Sequence, residues 1–402
     1  IMVISVFAAG IAFSGSAAAN HGDNSIIVVD DDFTTTNETH KNSLADAVSA
    51  ASSGDTIRVR SGTYTNSQGL TVDVSNVDIT AAENTNPTLS VEPDSVSGTA
   101  AIDITADGVT ISGLTIERIS AASDNRTLAG HAQGISVQAS DVVIENNELI
   151  GSLNADGGTP DEFDGIVVFD PYNSGDGGTT ENVSISNNDV SGFDTGYVTT
   201  VFYSLSSIVR DVSFANNNAT NNRIGFAAKA HKGSISGVSG SGNDFTGNDQ
   251  ESIVFSPESY QGYSGLQSIP ATAVNFDGPV LVEDGDSIQT AVNVAGDGAT
   301  VSVGSGVYRE QIVISSQSGL TISGEGDSTI IESPNSADLN TIGLEENSAR
   351  DPEIKKRSIR TPVAVLGSSA IKLSDIQVDG RNQGAGGQAF FGIYVENSSG
   401  SI

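Results

Sequence analysis

The sequence lacks cysteine and tryptophan altogether and contains a single methionine. The absence of cysteine excludes disulfides, thiolate nucleophiles and cysteine-ligated zinc. The few histidines, which share no spacing that suits a metal, are His21, His40, His131 and His231. We therefore expect no cofactor that depends on these residue types.

Cationic residues are also scarce, with 17 Lys plus Arg against 50 Asp plus Glu and a formal net charge of −33. Binding to nucleic acid or anionic lipid needs cationic surface, so we expect neither as a partner, and no nucleotide. A folded protein with this charge repels itself, but at molar salt the Debye length falls to about 3 Å and screens the repulsion. The composition thus predicts a protein adapted to high salt. Disorder is the alternative, and the regular spacing of apolar residues argues against it.

The first residues form a short apolar run that ends in Ala17-Ala18-Ala19 before polar Asn20. Such a run predicts a signal peptide over residues 1–19, cleaved after Ala19, and an extracellular or cell-surface location. It is too short for a transmembrane helix. No charged segment precedes it, and a repeat pattern is still running at Ile402, so we expect a longer natural chain that could include a membrane anchor.

A long internal repeat pairs residues 43–64 with 287–308, whose start positions, 43 and 287, differ by 244 residues. The first copy has identical counterparts at Ser43, Ala47, Val48, Ala51, Gly54, Thr56, Val59, Ser61, Gly62 and Tyr64. Apolar residues from Leu44 to Ala51 have helical spacing, alternating residues near Ile57 predict a strand, and residues 61–64 predict a turn. A short helix that leads into a strand suits the cap of a solenoid.

A short repeat begins at residues 142, 183, 212 and 238. Each copy alternates apolar and polar residues between turns rich in Gly, Asn and Asp, as strands do. The sixth residue of each copy is asparagine: Asn147, Asn188, Asn217 and Asn243. Asparagine tolerates the left-handed conformation of a sharp turn, and amides stacked once per coil can bond to one another. We interpret these residues as a structural ladder.

The capping unit resembles the opening segment of the pectin-lyase-like superfamily, most clearly over residues 306–314 and 320–326. The resemblance implies an all-β fold of two tandem right-handed parallel β-helices, each opened by a capping helix. We assign residues 20–40 to an N-terminal strand or linker, 41–256 to the first β-helix, 257–278 to a connector and 279–402 to the second. Residues 8–19 resemble signal peptides of surface (S-layer) glycoproteins from halophilic archaea, which implies export.

Many members of this superfamily act on polysaccharides, but their motifs are missing from the sequence, including Asp-Phe-Ile-Phe-Gly of pectin methylesterases and Asn-Thr-Asp-Gly of polygalacturonases. One constellation is left. Counted from the glycine that opens each coil, Asp170 is five residues on, whereas Lys229 and His231 are four and six residues on. They would share an edge two coils apart, about 10 Å. With Asp164 nearby, they could perform acid–base chemistry on a sugar.

Other features have weaker predictive value. Asn-x-Ser/Thr sequons predict N-glycosylation at Asn37, Asn125, Asn182, Asn218 and Asn397. Residues 30–32 and 156–164 are candidates for a structural Ca²⁺ ion, although neither has an EF-hand pattern. Residues 338–361 contain five of the 17 cations, which could pair with an acidic partner or with the protein's own acidic surface.

These observations favour a non-catalytic extracellular or cell-surface β-helix glycoprotein of a halophile, with a structural, adhesive or glycan-binding role. Its expected partners are cell-envelope components or polysaccharide. The alternative is a secreted polysaccharide lyase or glycoside hydrolase that acts on an acidic polysaccharide.

Overall fold

A computed structural model describes residues 25–92, 100–119, 133–152, 163–171, 177–202, 204–230, 232–249, 251–255, 259–260, 263–264, 273–335, 338–343, 358–383 and 389–402. This part of the chain consists of short strands and two helices, α1 (Leu44–Ala50) and α2 (Ile288–Val294). No helix among the described residues has the length and apolarity that a membrane span requires.

The strands up to residue 276 are β1 (Ile26–Val29), β2 (His40–Lys41), β3 (Thr56–Val59), β4 (Gly62–Asn66), β5 (Leu70–Val72), β6 (Asp78–Ala81), β7 (Pro87–Val91), β8 (Ile102–Ile104), β9 (Thr110–Ser112), β10 (Thr115–Arg118), β11 (Ile135–Val137), β12 (Val143–Glu145), β13 (Glu148–Gly151), β14 (Asp164–Val168), β15 (Thr179–Ser186), β16 (Asp189–Ser191), β17 (Thr195–Val201), β18 (Ile208–Ala215), β19 (Asn218–Thr220), β20 (Ile224–Ala230), β21 (Ser234–Ser236), β22 (Val238–Ser241), β23 (Glu251–Phe255), β24 (Ser259–Tyr260), β25 (Tyr263–Ser264) and β26 (Val274–Phe276). Those that follow are β27 (Pro279–Val282), β28 (Thr300–Val303), β29 (Gly306–Tyr308), β30 (Ile312–Ser315), β31 (Thr321–Glu332), β32 (Ile342–Gly343), β33 (Ser358–Arg360), β34 (Val363–Leu366), β35 (Ile371–Asp379), β36 (Ala389–Phe390), β37 (Ile393–Glu396) and β38 (Gly400–Ser401).

Each coil of the first β-helix adds one strand to each of three sheets. The first sheet has the order β2-β1-β3-β6-β9-β12-β15-β18-β22-β26, the second β19-β16-β13-β10-β7-β4, and the third β23-β20-β17-β14-β11-β8-β5. Neighbouring strands pair in parallel in all three sheets, as in β3 with β6, β10 with β13 and β14 with β17. Since neighbours in a sheet are a full coil apart along the chain, the structure confirms the predicted parallel β-helix.

The second β-helix repeats this winding, with fewer coils among the described residues. Its main sheet, which we number the fourth sheet, has the order β27-β28-β31-β35-β38. The next sheet, the fifth, has the order β30-β34-β37. A small sheet of β32, β33 and β36 lies on the connections that precede β34 and β37.

The core is built from columns of apolar side chains that point inward at every second residue. One column of the first sheet follows the register through Ile57, Ile79, Ile111, Ile144, Ile185 and Phe214. All of these side chains are fully buried. At roughly 1.5–3 kcal/mol for each buried side chain of this size, such columns are the main stabilising term of the solenoid.

The two predicted capping helices are confirmed. Ser43 and Ser287 are their N-caps, and each accepts a hydrogen bond from the backbone three residues on. Helix α1 buries Leu44, Ala47 and Val48, and α2 buries the corresponding residues of the second repeat. The apolar face of each helix thus covers the open end of a coil, where core side chains would otherwise meet water.

The turn predicted at residues 61–64 is wrong, because strand β4 begins at Gly62. The side chain of Tyr64 points inward, and its hydroxyl donates to the carbonyl oxygens of Arg60 at 3.0 Å and Val29 at 3.3 Å. Burial, with the nearby charge of Asp31, raises the pKa of Tyr64 to about 12, so the phenol stays a donor. This inward aromatic residue extends the strand through a segment whose Ser and Gly content suggested a turn.

The first β-helix runs directly into the second. Strand β26 pairs with β22, so the first sheet continues beyond residue 256, where the sequence predicts its end. Phe276 then bridges to Ala295, just after α2. Asp286 accepts hydrogen bonds from the backbone nitrogen and hydroxyl of Ser252, both at 2.6 Å. Because one core cluster contains residues of both units, α2 closes the end of the first β-helix and opens the second.

Candidate functional site

Three of the residues predicted to act as acids and bases, Asp164, Asp170 and Lys229, lie in or beside the third sheet of the first β-helix. Asp164 is the first residue of β14, and Asp170 follows the last residue of that strand by two positions. At about 3.3 Å per extended residue, roughly 20 Å separates them. Paired carboxylates of a glycosidase are about 5–9.5 Å apart, so Asp164 and Asp170 do not form such a pair.

Asp170 has a structural contact that accounts for its position. Its side chain is fully buried. The carboxylate accepts a hydrogen bond of 2.7 Å from the backbone nitrogen of Phe202, which directly follows β17. The contact fixes the turn of the next coil.

Lys229 lies at the same edge of the third sheet as Asp170, but on the opposite face. Its neighbours Ala228 and Ala230 belong to the core, so alternation places Lys229 on the outer face. If the register of β14 is continued for two residues beyond Val168, Asp170 is level with Val201 and therefore with Ala230. Lys229 is only 6% exposed, which leaves it inaccessible to a polysaccharide. His231 lies outside the described residues.

The four predicted ladder asparagines form a continuous chain of hydrogen bonds. The backbone nitrogen and Nδ2 of Asn147 both donate to Oδ1 of Asn188 at 3.0 Å, and Asn188 donates in the same way to Asn217 at 3.1 Å. Asn217 continues the pattern to Asn243 at 3.0 Å. Each ladder position therefore joins one coil to the next inside the protein.

The expectation that these four residues adopt the left-handed conformation is wrong. In the first three copies of the repeat, the asparagine directly before the ladder residue does so instead: Asn146, Asn187 and Asn216, with φ of 56°, 53° and 53°. The two asparagines of each such Asn-Asn pair have separate roles. The first turns the backbone, and the second, now aimed inward, satisfies buried polar groups.

Sequence analysis missed a second, shorter ladder. Asn222 donates from its backbone nitrogen and from Nδ2 to Oδ1 of Asn248, at 3.0 and 3.1 Å, and accepts from the backbone nitrogen of Phe193 at 3.0 Å. The signal was present in the sequence, because Asn222 and Asn248 follow Asn217 and Asn243 by the same five residues.

Sequence analysis also missed a buried ion pair between adjacent coils. Arg223 contacts Asp194 through Nε–Oδ1 at 2.5 Å and Nη2–Oδ2 at 2.8 Å. The two side chains are 12% and 2% exposed. Bidentate geometry in a buried setting makes this a strong, directional contact. Arg223 thus holds two adjacent coils together.

The sequons differ in exposure. Asn37, Asn182 and Asn397 are exposed, Asn218 is half-buried within β19, and Asn125 lies outside the described residues. Asn182 donates from Nδ2 to Asp141 at 3.1 Å, and Asn37 accepts from the backbone of Thr39 at 2.8 Å. The side chain of Asn397 makes no hydrogen bond within the described part of the chain. N-glycosylation stays a prediction at all five positions.

Asp30, Asp31 and Asp32 form the one described group of acidic or histidine side chains with ligand atoms within 4.8 Å of one another. One of them is already paired, because Asp30 contacts Arg60 at 3.0 Å. Residues 156–162 of the other predicted cluster lie outside the described residues. Structural Ca²⁺ stays a prediction.

A groove lies on the outer face of the fifth sheet of the second β-helix. We call it the outer groove. It is lined by Val313, Asn340, Thr341, Ile342, Leu366, Gly367, Glu396 and Asn397, and its volume is about 540 Å³. Val313 and Leu366 form an apolar floor, because their neighbours in β30 and β34 face the core.

Gln311 fixes the wall of the outer groove. Its Oε1 accepts from the backbone nitrogen of Asn340 at 2.8 Å, and its Nε2 donates to the carbonyl oxygens of Asn340 at 3.1 Å and Thr361 at 2.9 Å. This clamp occupies the backbone of Asn340 and leaves its exposed side chain at the rim. Ile342 and Ile359 then pack together over Ala364.

Glu396 forms the polar end of the outer groove, and Tyr394 lies beside it. They are two residues apart in β37 and thus on the same face. The hydroxyl of Tyr394 donates to Glu396 at 3.1 Å, and the ring lies 5.9 Å from that of exposed Phe391. Burial, then the hydrogen bond to Glu396, raises the pKa of Tyr394, so the phenol remains a donor. Glu396 is the only charged residue among the described residues that line the groove.

No protein-family model matches the sequence, and a search of curated proteins found no match. Several solved structures are similar in fold. Pectate lyase Pel9A has 12% identity and a TM-score of 0.41, over 89% of this chain and 79% of that one. The A-module of Azotobacter vinelandii mannuronan C-5 epimerase AlgE4 has 15% identity and a TM-score of 0.41, over 89% and 94%. The family 28 exopolygalacturonase of Yersinia enterocolitica has 10% identity and a TM-score of 0.42, over 94% and 80%. By the parallel pairing of its own strands, the chain has a parallel β-helix fold.

Proposed function

We propose that the protein is an extracellular, non-catalytic glycan-binding protein and that its binding surface is the outer groove. The observation that carries the proposal is the combination of an apolar floor with amide and hydroxyl groups on the rim. Its volume of about 540 Å³ lies in the range of small-molecule sites.

This combination suits the two kinds of surface that a sugar presents. The C–H face of a sugar ring is apolar and can pack on Val313, Leu366 and the neighbouring ring of Tyr394. The hydroxyl groups around the ring both donate and accept hydrogen bonds. The side-chain amide of Asn340 does the same, so either orientation of a hydroxyl can be satisfied.

The charge of the groove favours a neutral glycan. A uronate or sulfated sugar would approach Glu396 in a protein whose net charge is −33. Among the described lining residues no cation offsets that repulsion. The cationic residues Arg350, Lys355, Lys356 and Arg357 lie outside the described part of the chain. The ligand proposed here therefore differs from the acidic polysaccharide that the enzyme alternative would require.

Binding is favoured over cleavage by the number of carboxylates. Glycoside hydrolysis uses a pair of acidic groups on either side of the scissile bond. The described lining of the outer groove supplies one, Glu396. In the first β-helix, Asp164 and Asp170 lie at opposite ends of one strand, and Asp170 is bonded to the backbone of Phe202.

The proposed setting is the outside of a cell that lives in high salt. Support comes from the apolar N-terminal run that ends in Ala17-Ala18-Ala19 and from the excess of acidic residues. N-terminal sequencing of protein recovered from the medium or cell envelope should begin at Asn20. A mature protein that retains Ile1 would contradict export by this signal.

Calorimetric titration with neutral oligosaccharides in molar salt tests the binding function. Asn340→Ala and Tyr394→Ala should each weaken binding about tenfold or more, equivalent to roughly 1.4 kcal/mol for one lost contact. Asn340→Ala is the more specific test. Gln311 contacts only the backbone of Asn340, so removing the exposed side chain leaves the wall of the groove intact. The matched control is Phe33→Ala, an aromatic residue near the opposite end of the chain, which should leave affinity unchanged.

Two outcomes would contradict the proposal. One is equal binding by wild type and both groove variants. The other is release of new reducing ends or unsaturated uronates from a polysaccharide, which would establish the lyase or hydrolase alternative. Glu396→Gln adds a test of ligand charge: it should leave the affinity for a neutral glycan within a few-fold and would strengthen binding of an acidic one.

A further inference from the structure

We propose that Asn397 carries an N-linked glycan that lies in the outer groove and competes with glycans from outside, so that the protein regulates its own binding site. The inference rests on the proposed function of the groove. It begins from a coincidence of two independent features, because one residue is both a sequon asparagine and part of the groove lining.

The acceptor side chain is accessible and available. Asn397 is exposed and directly follows β37, with φ of 47°. Its amide has no hydrogen-bond partner within the described residues. In the modification, Nδ2 of Asn397 attacks the anomeric carbon of a lipid-linked oligosaccharide. A C–N bond forms, the C–O bond to the lipid phosphate breaks, and the amide loses one proton.

The turn that presents Asn397 is rigid. The hydroxyl of Ser398 donates to the carbonyl oxygens of Glu396 at 2.7 Å and Val365 at 3.3 Å, and accepts from the backbone nitrogen of Ser368 at 3.0 Å. Since Ser398 is bonded into the protein, the adjacent Asn397 side chain is held at the rim. The first sugar of an attached glycan must then emerge at the groove.

The other exposed sequons lack this placement. Asn37 precedes β2 and Asn182 lies in β15, and hydrogen bonds with Thr39 and Asp141 engage their side chains. Neither lines the outer groove. A glycan on either residue would leave the groove open, so these positions supply matched controls.

Tethering makes self-occupancy effective even when the groove binds sugars weakly. A short flexible tether gives an effective concentration on the order of 1 mM. If the intrinsic Kd is about 0.1 mM, the attached glycan fills the groove roughly nine-tenths of the time. The apparent affinity for an added glycan then falls about tenfold.

Native protein and three variants test the inference. Mass spectrometry of the peptide that contains residues 389–402 should show a glycan-sized mass on Asn397. Removal of that glycan, or Asn397→Gly, which suits the positive φ, should raise the affinity for a neutral oligosaccharide about tenfold. Ser399→Thr retains the sequon and should retain the inhibition. Asn182→Gln should change nothing at the groove.

Hydrogen exchange separates this inference from the proposed function, because it needs no added ligand. Residues 340–343 and 363–367 should exchange more slowly in glycosylated protein than in Asn397→Gly. An unmodified Asn397 in native protein, or equal exchange and equal affinity with and without its glycan, would overturn the inference and leave groove binding intact. A third outcome is that neither glycosylated protein nor Asn397→Gly binds added glycan, although the groove residues exchange more slowly in glycosylated protein. In that case the proposed function fails, but the Asn397 glycan does occupy the groove.

Discussion

Replacing Asn188, one of the two buried central asparagines of the long ladder, should destabilise the protein more than replacing Asn243 at the end of the ladder. The side chain is fully buried. It takes part in four hydrogen bonds: Oδ1 accepts from the backbone nitrogen and Nδ2 of Asn147, and Nδ2 donates to Ile144 and Asn217. Alanine removes all four and leaves their partners buried.

At a net value of about 1 kcal/mol for each hydrogen bond, Asn188→Ala should lower the free energy of unfolding by roughly 4 kcal/mol. Asn243, at the end of the ladder, is half-buried, and water can replace its contacts, so Asn243→Ala should lose only about 1–2 kcal/mol. Asn187→Gly should be close to neutral, since φ of 53° there suits glycine. Asn187→Gly is therefore the control: it changes the neighbouring asparagine of the same turn without removing a ladder hydrogen bond.

Asn188→Asp adds a pH test. The carboxylate still accepts from Asn147 but faces the acceptor oxygens of Ile144 and Asn217. Burial next to acceptors raises the pKa of the new carboxyl above its unfolded value, so the folded state binds the proton more tightly. The penalty should therefore be fully present at neutral pH and shrink as the pH falls through the folded pKa.

Denaturant unfolding at fixed molar salt, followed by circular dichroism, measures these differences. The reasoning would be refuted if Asn188→Ala were no less stable than Asn243→Ala. It would also be refuted if the stability of Asn188→Asp relative to wild type did not change between neutral and acidic pH.

Three further predictions follow from single contacts. Burial alone would raise the pKa of Asp55, but hydrogen bonds from Ser25 and Ser52 outweigh burial and lower the pKa. The ionised carboxylate therefore stabilises the folded state. Asp55→Asn should lower the free energy of unfolding by its full amount above about pH 4, and the loss should vanish as the pH falls through the folded pKa. Thr199→Val should raise the free energy of unfolding by about 1 kcal/mol in a denaturant titration, because the buried hydroxyl of Thr199 has no hydrogen-bond partner among the described residues; a loss of stability would count against it. Glu148 and Asp189 are lateral neighbours on adjacent coils, so Glu148→Gln should raise the melting temperature at low salt and have no effect in 1 M salt, where the Debye length is about 3 Å; the same gain at both salt concentrations would contradict an electrostatic origin.

The fold could be predicted because each coil of a solenoid corresponds to one repeat in the sequence. The apolar alternation and the 244-residue spacing of the two caps specify strands, coils and helices without any long-range information. The glycine that opens a coil is required because the adjacent coil approaches closely. A Cβ on Gly165 would lie 2.4 Å from the carbonyl oxygen of Gly196.

Local patterns failed where neighbouring coils decide a residue's role. Asn146 and Asn147 have the same side chain, and only the position inside or outside the coil determines which one turns the backbone and which one bonds the next coil. Asp170 and Lys229 lie at the same edge of a sheet, yet one-residue alternation places them on opposite faces. The outer groove could not be read from the sequence, since its floor and rim come from segments about 80 residues apart, from Val313 to Asn397.

A structure of the deglycosylated protein with a bound neutral oligosaccharide is the most direct test of the central claim. We expect a sugar ring packed on Leu366, with hydroxyl groups within hydrogen-bond distance of the Asn340 side chain. An empty outer groove under conditions that saturate binding, or a sugar bound along the third sheet of the first β-helix beside Lys229, would contradict it.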